Sequence, residues 1–557
     1  MSESRLSVPK LILLCVSLAA CGKQSSVHEK PATAAPAASA PAPAAEASNV
    51  PPGAGVEISP GSQQGESADS FFNPKNYPDA VQGTFIDPQK LTATERKYGI
   101  APKRDPRVTY QDGVILMEHG DQAIREAKTD GMTFSFDAKA EHVGELAEGK
   151  IVFATGRVVG RIGQLTRDGD TVTMKLAPIT LTDVIKKGTF LMDSGFSAKD
   201  LIFYTAPDFP NTIDNTANKQ ARDLREISEP RFFLAAMPQG MSPLASGVGK
   251  NLSITQPPKP PTLPGPDLNL TAGLKVMPAV GSDGGIGINF YYAKNGVIFN
   301  GYGQLVLPSP RVRFLLDIDS SGIKTFGIEI SGSIGLRISV EAASNVERYI
   351  NADTTTVTPL DITLPCPLAG VPLALNFSTS FTLHTKFQAK SSVLTSSGSW
   401  TLDGTLFVGK KGGEDSSAVP PVKNTSSLAA NVSGISVGIN TVGGAVKIRP
   451  MIGLGGFGFM TGVFMGVSFT AEVGKQASEA MLDCHVAEGL GTIDSGVGYK
   501  VPAAFAKLIN GVLSLFTKYR MDQEGTLIQG WGGKLFDRYE NIPQGCSPAG
   551  AARPTTT

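Results

Sequence analysis

Three long stretches of the chain alternate between apolar and polar residues. In residues 326–342 every even position is apolar or small, and in residues 373–389 and 457–473 the odd positions are mainly apolar. A period of two places neighbouring side chains on opposite faces of a β-strand. The pattern therefore predicts three strands of order 55 Å each, at about 3.3 Å per residue. Strands this long are expected to bend or bulge at Gly332 or Gly335.

These strands lie in residues 268–547, which are predicted to form a large antiparallel β-sandwich or barrel-like domain with one amphipathic C-terminal helix. Asn295-Gly296 and Asp319-Ser320-Ser321-Gly322 contain the residues that tight turns prefer, and they predict hairpins. A transmembrane β-barrel shows the same alternation. The chain has only 2 Trp for the aromatic girdles of such a barrel, so the sandwich is favoured.

The stretch at 457–473 carries no charge before Glu472, which predicts a strand that is buried on both faces. A central core strand is favoured, and contact with lipid or the wall of an apolar cavity are the alternatives. Residues 502–520 predict a helix with one apolar stripe, which is expected to pack on the sheet; the alternative is a lid over a lipid cavity. The apolar-ligand face of the cavity alternative consists of Met460, Phe464, Phe505, Leu508 and Val512.

Residues 83–250 predict a small β-rich domain. The run from Gly149 to Ile185 resembles a β-rich stretch that recurs in uncharacterised secreted bacterial proteins, and this resemblance implies no activity. The local signals predict a hairpin at Asp112-Gly113, short strands at 151–153, 158–162 and 171–176, and single helical pieces at 121–128 and 181–187.

Three further segments are set apart by composition. Residues 21–82 begin with an Ala-, Pro- and Ser-rich stretch that cannot bury enough apolar surface to offset its ordering entropy, and they predict a disordered tether. Residues 251–267 are dense in Pro and predict a semi-rigid linker, with a ligand for a proline-reading domain as the less favoured alternative. Residues 548–557 predict a disordered tail.

The first 20 residues have the layout of a secretory signal. Arg5 and Lys10 precede a short apolar run that is far below the roughly 20 residues of a membrane-spanning helix. Leu18-Ala19-Ala20-Cys21 follows, and this segment resembles the lipobox of bacterial lipoprotein precursors. The resemblance implies cleavage before Cys21, three acyl chains such as palmitate on the new N-terminus, and a lipid anchor in the membrane. In the lipoproteins that this segment resembles, Asp after the cysteine is linked to retention in the inner membrane. Gly22 stands at that position here, so the resemblance implies the outer membrane, on its periplasmic face or at the cell surface.

Charge balance and cysteine content limit which partners and which disulfide bonds are expected. The 557 residues include 50 Lys+Arg and 50 Asp+Glu, so no surplus of positive charge favours binding to nucleic acid. An exported chain meets an oxidising compartment, where one disulfide is expected among Cys366, Cys484 and Cys546. A bond between Cys484 and Cys546 is preferred. No CxxC or His spacing predicts a metal site, and no cofactor is predicted.

Candidate chemistry is sparse. Gly434-Ile435-Ser436-Val437-Gly438 has the form of a nucleophile elbow, but the strand–turn–helix context that such an elbow needs is not predicted. The run from Asp317 to Gly322 begins like a calcium loop, yet Ile328 stands where the bidentate Glu belongs, so a hairpin turn is favoured. Glu118-His119-Gly120-Asp121 places polar ligands together without a regular metal spacing. We therefore predict no catalytic residue.

The sequence as a whole predicts a non-enzymatic, membrane-anchored envelope lipoprotein with a binding or scaffolding role. Its partner is expected to be an envelope protein, a glycan or a lipid. The alternatives are a carrier of lipids or other apolar ligands and, less favoured, an envelope hydrolase.

Overall fold

The computed structural model describes residues 63–197, 200–205, 274–280, 285–294, 297–344, 350–357, 360–387, 392–427, 429–433, 439–476, 484–502, 505–507, 509–510 and 521–542. These residues are mainly β, as predicted, and form three sheets. The segments assigned to the signal and to the Pro-rich linker lie outside the described residues.

The smallest sheet has six strands, and it curls around its own core. Its spatial order is β4-β7-β8-β9-β6-β5. The two edge strands β4 and β5 follow each other in the chain and are joined only by residues 117–123, which include one helical turn. A flat sheet of six strands would place its edges about 24 Å apart, so the sheet must curl to let this short connection close it. We call this unit the small barrel; its strands are Val114–Leu116 (β4), Ile124–Ala127 (β5), Thr133–Asp137 (β6), Ile151–Phe153 (β7), Val159–Asp168 (β8) and Thr171–Ala177 (β9).

A 12-stranded sheet forms the first layer of the large domain. Its main path is β1-β21-β20-β16-β14-β13-β12. The predicted strand at 326–342 lies within β16, and it bends where Gly332 (φ 120°) faces Gly404 (φ 135°) across the ladder, in a backbone region that favours glycine. The strands are Gln63–Gln64 (β1), Val81–Gly83 (β2), Thr109–Tyr110 (β3), Ile185–Gly195 (β10), Leu274–Val280 (β12), Gly285–Lys294 (β13), Val297–Val306 (β14), Arg311–Asp319 (β15), Gly322–Ser344 (β16), Ser392–Lys411 (β20), Glu414–Ala418 (β21) and Val422–Ser426 (β22).

An eight-stranded sheet forms the second layer, in the order β11-β18-β19-β23-β24-β25-β26 with β17 paired to β19. The predicted strands at 373–389 and 457–473 are confirmed as β19 and β24. The strands are Ile202–Thr205 (β11), Ile350–Val357 (β17), Leu360–Leu368 (β18), Val371–Phe387 (β19), Ile439–Gly456 (β23), Phe459–Gln476 (β24), Cys484–Lys500 (β25) and Glu524–Ile542 (β26).

The two large sheets enclose one hydrophobic core, so the large domain is a sandwich. The first sheet contributes Phe314, Ile328 and Leu336, and the second contributes Leu364 and Ile452, all of them fully buried. Residues of the small barrel such as Leu116 and Phe153 belong to the same cluster. The barrel is therefore packed against the sandwich through the outer side of its own sheet.

Helices are few and short among the described residues. Residues 505–507 and 509–510 are helical, inside the segment predicted as the C-terminal helix, and Phe505 and Ile509 are buried in the sandwich core. None of the helices in the described ranges is long and apolar enough to span a membrane. The α-helices are Ala68–Phe71 (α1), Ala93–Tyr98 (α2), Gly120–Ala123 (α3) and Leu181–Val184 (α4), and single 3-10 turns occupy Pro74–Asn76, Pro88–Lys90 and Val143–Glu145.

The folded chain begins before residue 83, inside the region assigned to the tether. Residues 63–80, which we call the N-terminal strap, lie on the outer face of the 12-stranded sheet, where Phe71 is fully buried. A Cβ on Gly327 or Gly409 would come within 2.5 or 2.6 Å of the Phe71 ring, so these two paired glycines form the socket for that ring. The prediction of disorder was wrong for this part, because its two adjacent Phe residues bury apolar surface that the Ala/Pro stretch lacks.

The boundary predicted at 250 does not separate the sheets. β10 pairs along its length with β15 of the 12-stranded sheet, and β11 pairs with β18 of the other sheet. The predicted hairpin at Asp112-Gly113 was also wrong, since β3 pairs with β10 while β4 runs parallel to β7. Both helical pieces are shorter than predicted, because the chain after α3 and α4 continues directly as strands.

Candidate functional site

A cavity of about 350 Å³ opens at the mouth of the small barrel. Two chain segments form its walls: the connection from β4 to β5 and the turn that follows β6. The mouths of β-barrels are among the places where ligand sites are found. The residues that line the cavity are Met117, Glu118, His119, Gln122, Ala123, Asp137, Lys139, Ala140, Glu141 and His142.

The first wall is a tight turn that is fixed on the barrel. The backbone N–H of Gly120 donates to the Met117 carbonyl at 3.0 Å, and the N–H of Gln122 donates to the His119 carbonyl at 3.1 Å. A Cβ on Gly120 would lie 2.1 Å from the Ala154 carbonyl oxygen, so only glycine lets this turn approach β7 so closely. Met117 and Ala123 are buried as the apolar floor, while His119 and Gln122 are exposed.

The second wall ends in a strained residue. His142 has φ 63°, in the left-handed region, which costs about 1–2 kcal/mol for a residue with a Cβ. Its Nδ1 lies 2.7 Å from Glu145 Oε1, and its Nε2 lies 3.3 Å from Glu141 Oε1. These two contacts fix the imidazole ring between two carboxylates beside the cavity.

Three charged side chains of the cavity, those of Glu118, Asp137 and Lys139, have partners outside it. Asp137 accepts the backbone N–H of Lys139 at 2.9 Å and lies 2.9 Å from Arg125 Nη2, and these contacts lower the pKa of Asp137. Lys139 Nζ lies 3.2 Å from the Asp170 carboxylate, and Glu118 accepts the backbone N–H of Arg104 at 2.8 Å.

The predicted cluster Glu118-His119-Gly120-Asp121 is only partly at the site. Glu118 and His119 line the cavity, whereas Asp121 does not. Partial burial, with a smaller contribution from Glu95, raises the pKa of Asp121. Across the described ranges no group of three or more His, Cys, Asp or Glu residues is arranged to hold a metal ion. The second wall was missed, because nothing in the sequence signals that residues 137–142 face residues 117–123.

The residues of the predicted apolar-ligand face are not brought together as one surface. Met460 and Phe464 are buried with Met451 on the outer side of the second sheet, while Phe505 lies in the sandwich core. Strand alternation explains the split, since Met460 points away from Phe459 and Val463, which face the core. Leu508 and Val512 have no described side chains.

A buried ion pair that the sequence did not signal lies beside Phe464. The Arg449 guanidinium stacks on the Phe464 ring at 3.6 Å, donates to the Gly525 carbonyl at 3.2 Å and lies 3.6 Å from Glu524. Burial would raise the pKa of Glu524, but Arg449, Lys500 and the Ser378 hydroxyl lower it below its usual value. Arg449 is 3% exposed, so this cluster is closed rather than presented to a ligand.

Some of the remaining predicted residues lie in the described part of the structure, and others lie outside it. The run from Asp317 to Gly322 forms the hairpin turn between β15 and β16, as predicted, and Asp319 binds Ser321 and Lys324. Cys484 is disulfide-bonded and Cys366 is a buried free thiol. Cys21, Ser436 and Cys546 lie outside the described residues, so the lipidation site, the nucleophile elbow and the partner of Cys484 stay predictions.

Two family models match the chain. Residues 94–187 match a domain of unknown function (DUF8403), and this matched segment includes all residues that line the cavity. Residues 256–529 match another domain of unknown function (DUF8402). No curated protein and no solved structure matches the chain. The small barrel and most of the sandwich are thus similar to two families whose function is not known.

Proposed function

We propose that this chain is a lipid-anchored protein of the bacterial outer membrane that binds a ligand or partner without transforming it, and that the barrel mouth is its binding site. The observation that carries the proposal is the cavity itself. It is a concave site of about 350 Å³ with an apolar floor and with exposed polar side chains on its rim. Small-ligand sites commonly have such a floor and a few placed polar groups.

The attachment of the N-terminal strap supports anchored display. The strap begins as β1, which pairs with β21, and the Gln64 side chain accepts a hydrogen bond from Trp531 Nε1 at 3.2 Å. β21 belongs to one sheet and Trp531 to the other, so the strap holds both layers of the sandwich. A tether that ends in such a strap connects the lipid anchor to a rigid part of the protein.

The docking of the barrel supports a scaffolding role for the sandwich. The Arg157 guanidinium of the barrel lies between the rings of Tyr204 and Phe457, at 3.5 and 4.0 Å, and donates to the Lys97 carbonyl at 2.7 Å. The backbone N–H of Gly455, in a strand turn of the sandwich, donates to the Gly156 carbonyl in the β7–β8 loop of the barrel at 2.8 Å. The N–H of Lys103, in the segment that leads to the barrel, donates to the Gly370 carbonyl of another sandwich turn at 2.8 Å. The cavity is thus held in a fixed orientation.

The anchor is tested by substituting Cys21. We expect the natural protein to sediment with membranes and to carry acyl chains by mass spectrometry, and Cys21→Ser to be found in the soluble envelope fraction. Cys15→Ser is the matched control, since residue 15 leaves with the signal. A Cys21→Ser protein that kept its acyl chains and membrane association would contradict the proposal.

The binding site is tested with a photo-activated cross-linking amino acid in intact cells. Placed at His119, on the cavity rim, it is expected to give an adduct with an envelope component. Placed at Gln89, an exposed residue away from the cavity, it is expected to give none. Equal adducts at both positions, or none at His119, would show that the barrel mouth is not the binding site.

A further inference from the structure

We infer that the barrel-mouth cavity takes a neutral, polyhydroxylated ligand, that is, a sugar, either free or as a unit of a glycan. This inference rests on the proposed binding role of the cavity and goes on to name the chemistry of its ligand. It follows from three properties of the lining: charge, hydrogen-bonding capacity and the apolar floor.

The charge of the lining gives a strongly charged ligand little to pair with. Asp137 is matched by Arg125 at 2.9 Å, Lys139 by Asp170 at 3.2 Å and Glu118 by Arg104 at 4.0 Å. Glu141 lies 3.3 Å from the imidazole of His142. A cationic or anionic ligand would have to compete with these existing partners. A neutral ligand gains hydrogen bonds without breaking them.

The hydrogen-bonding groups on the rim suit hydroxyls. His119 and Gln122 are exposed and line the cavity. An imidazole and an amide each offer both a donor and an acceptor. A hydroxyl also donates and accepts, so one ligand with several hydroxyls can satisfy both side chains together with a carboxylate oxygen of Glu118.

The floor suits the remaining part of such a ligand. Met117 and Ala123 are buried, and half-buried Ala140 lies opposite them in the lining. A sugar ring presents C–H groups on one face and hydroxyls at its edge, which matches an apolar floor with a polar rim. The volume of about 350 Å³ is at the lower end of the roughly 300–1,000 Å³ of small-ligand sites.

The test is a titration of the full-length protein in detergent with defined probes, followed by calorimetry and saturation-transfer NMR. The neutral probes are D-glucose, N-acetylglucosamine and its trimer, and the charged probes are putrescine and citrate. We expect a neutral saccharide to bind, and His119→Ala, Gln122→Ala and the cavity-filling Ala140→Trp each to weaken it at least tenfold. Gln89→Ala is the matched control and is expected to bind as the parent does. Tighter binding of the trimer would indicate a glycan chain rather than a free sugar.

Several outcomes would overturn the inference. In the first, putrescine or citrate binds, Gln122→Ala weakens that binding, and no saccharide binds. The cavity would then be a binding site, but the inferred class of ligand would be wrong. Saccharide binding that persisted in all three cavity variants would place the sugar elsewhere. Each variant is used only if its thermal unfolding midpoint equals that of the parent. Adducts at His119 in cells without any saccharide binding would leave the proposed function standing and remove this inference alone.

Discussion

The mouth of the small barrel and the interior of the large sandwich differ in how exposed their charged residues are. At the barrel mouth, Glu118, Lys139 and Glu141 are on the solvent-exposed rim or only partly buried. In the sandwich, Arg449 is 3% exposed and Glu329 is 2% exposed. Each of them forms an ion pair with a different residue inside the protein. A side chain at the surface can contact a ligand, whereas a buried pair can only hold the fold. The comparison teaches that function should be sought in the barrel and stability in the sandwich.

The largest effect is expected when one member of a buried pair is removed. Arg449→Met leaves Glu524 buried without its main cation, and this should lower the free energy of unfolding by about 3–5 kcal/mol. The double variant Arg449→Met/Glu524→Gln removes both charges and should recover a large part of the loss. Chemical denaturation followed by fluorescence measures both values. If the single and double variants were equally unstable, the loss would come from packing rather than from the unpaired charge.

The strap should contribute nearly as much as the ion pair. Phe71→Ala empties the socket between Gly327 and Gly409, and burial of this kind is worth about 3–5 kcal/mol. Phe85→Ala is a control of the same chemistry at a half-buried position, and it should cost less. The measurement is again the unfolding free energy.

Truncation sharpens the same point about the strap. A chain that begins at residue 63 should keep the thermal unfolding midpoint of the parent. A chain that begins at residue 81 lacks the strap, and its midpoint should be several degrees lower. Equal midpoints for the two chains would show that the strap is only laid on the sheet and does not stabilise it.

A smaller effect is expected at the contact between the two regions. Arg157→Met removes the stacked guanidinium and its hydrogen bond to Lys97, contacts that are worth about 1–2 kcal/mol in buried settings. The barrel should then exchange its amide hydrogens faster than the sandwich does, by hydrogen-exchange mass spectrometry. Lys128→Met, at an exposed position between β5 and β6 of the barrel, is the control. Unchanged exchange in Arg157→Met would mean that the shared hydrophobic cluster alone holds the barrel.

The smallest effect concerns pH at an exposed turn. Lys324, together with Ser321, lowers the pKa of Asp319 from 3.8 to about 2. A lowered pKa contributes stability that is present above pH 3.8 and is lost as the pH falls towards 2. The unfolding midpoint of Asp319→Asn should therefore change slightly less with pH in this window than that of the parent. Between pH 5 and 7 the midpoints of the two proteins should depend on pH in the same way. An identical acid profile for parent and variant would show that the turn contact is too well solvated to matter.

Much of the sandwich could be predicted because its signal is local. The alternation through Ile328, Leu336 and Val463 requires only that side chains of one strand face opposite sides. The bend at Gly332 could also be named, because glycine tolerates a backbone that other residues avoid. The N-terminal strap could not, since the socket for Phe71 is made by two glycines that lie more than 250 residues further along the chain.

The sequence by itself determined that this protein is mainly β, with long alternating strands, because these features depend on neighbours along the chain. Only the tertiary structure decided that β10 and β11 join the sandwich and that β4 and β5 are the two edges of the curled six-stranded sheet. It alone brought His119 to the same cavity as His142 and buried Arg449 against Glu524. The physical reason is that pairing between strands and the burial of charges depend on residues distant in sequence, whose contact is set by how all the sheets pack together.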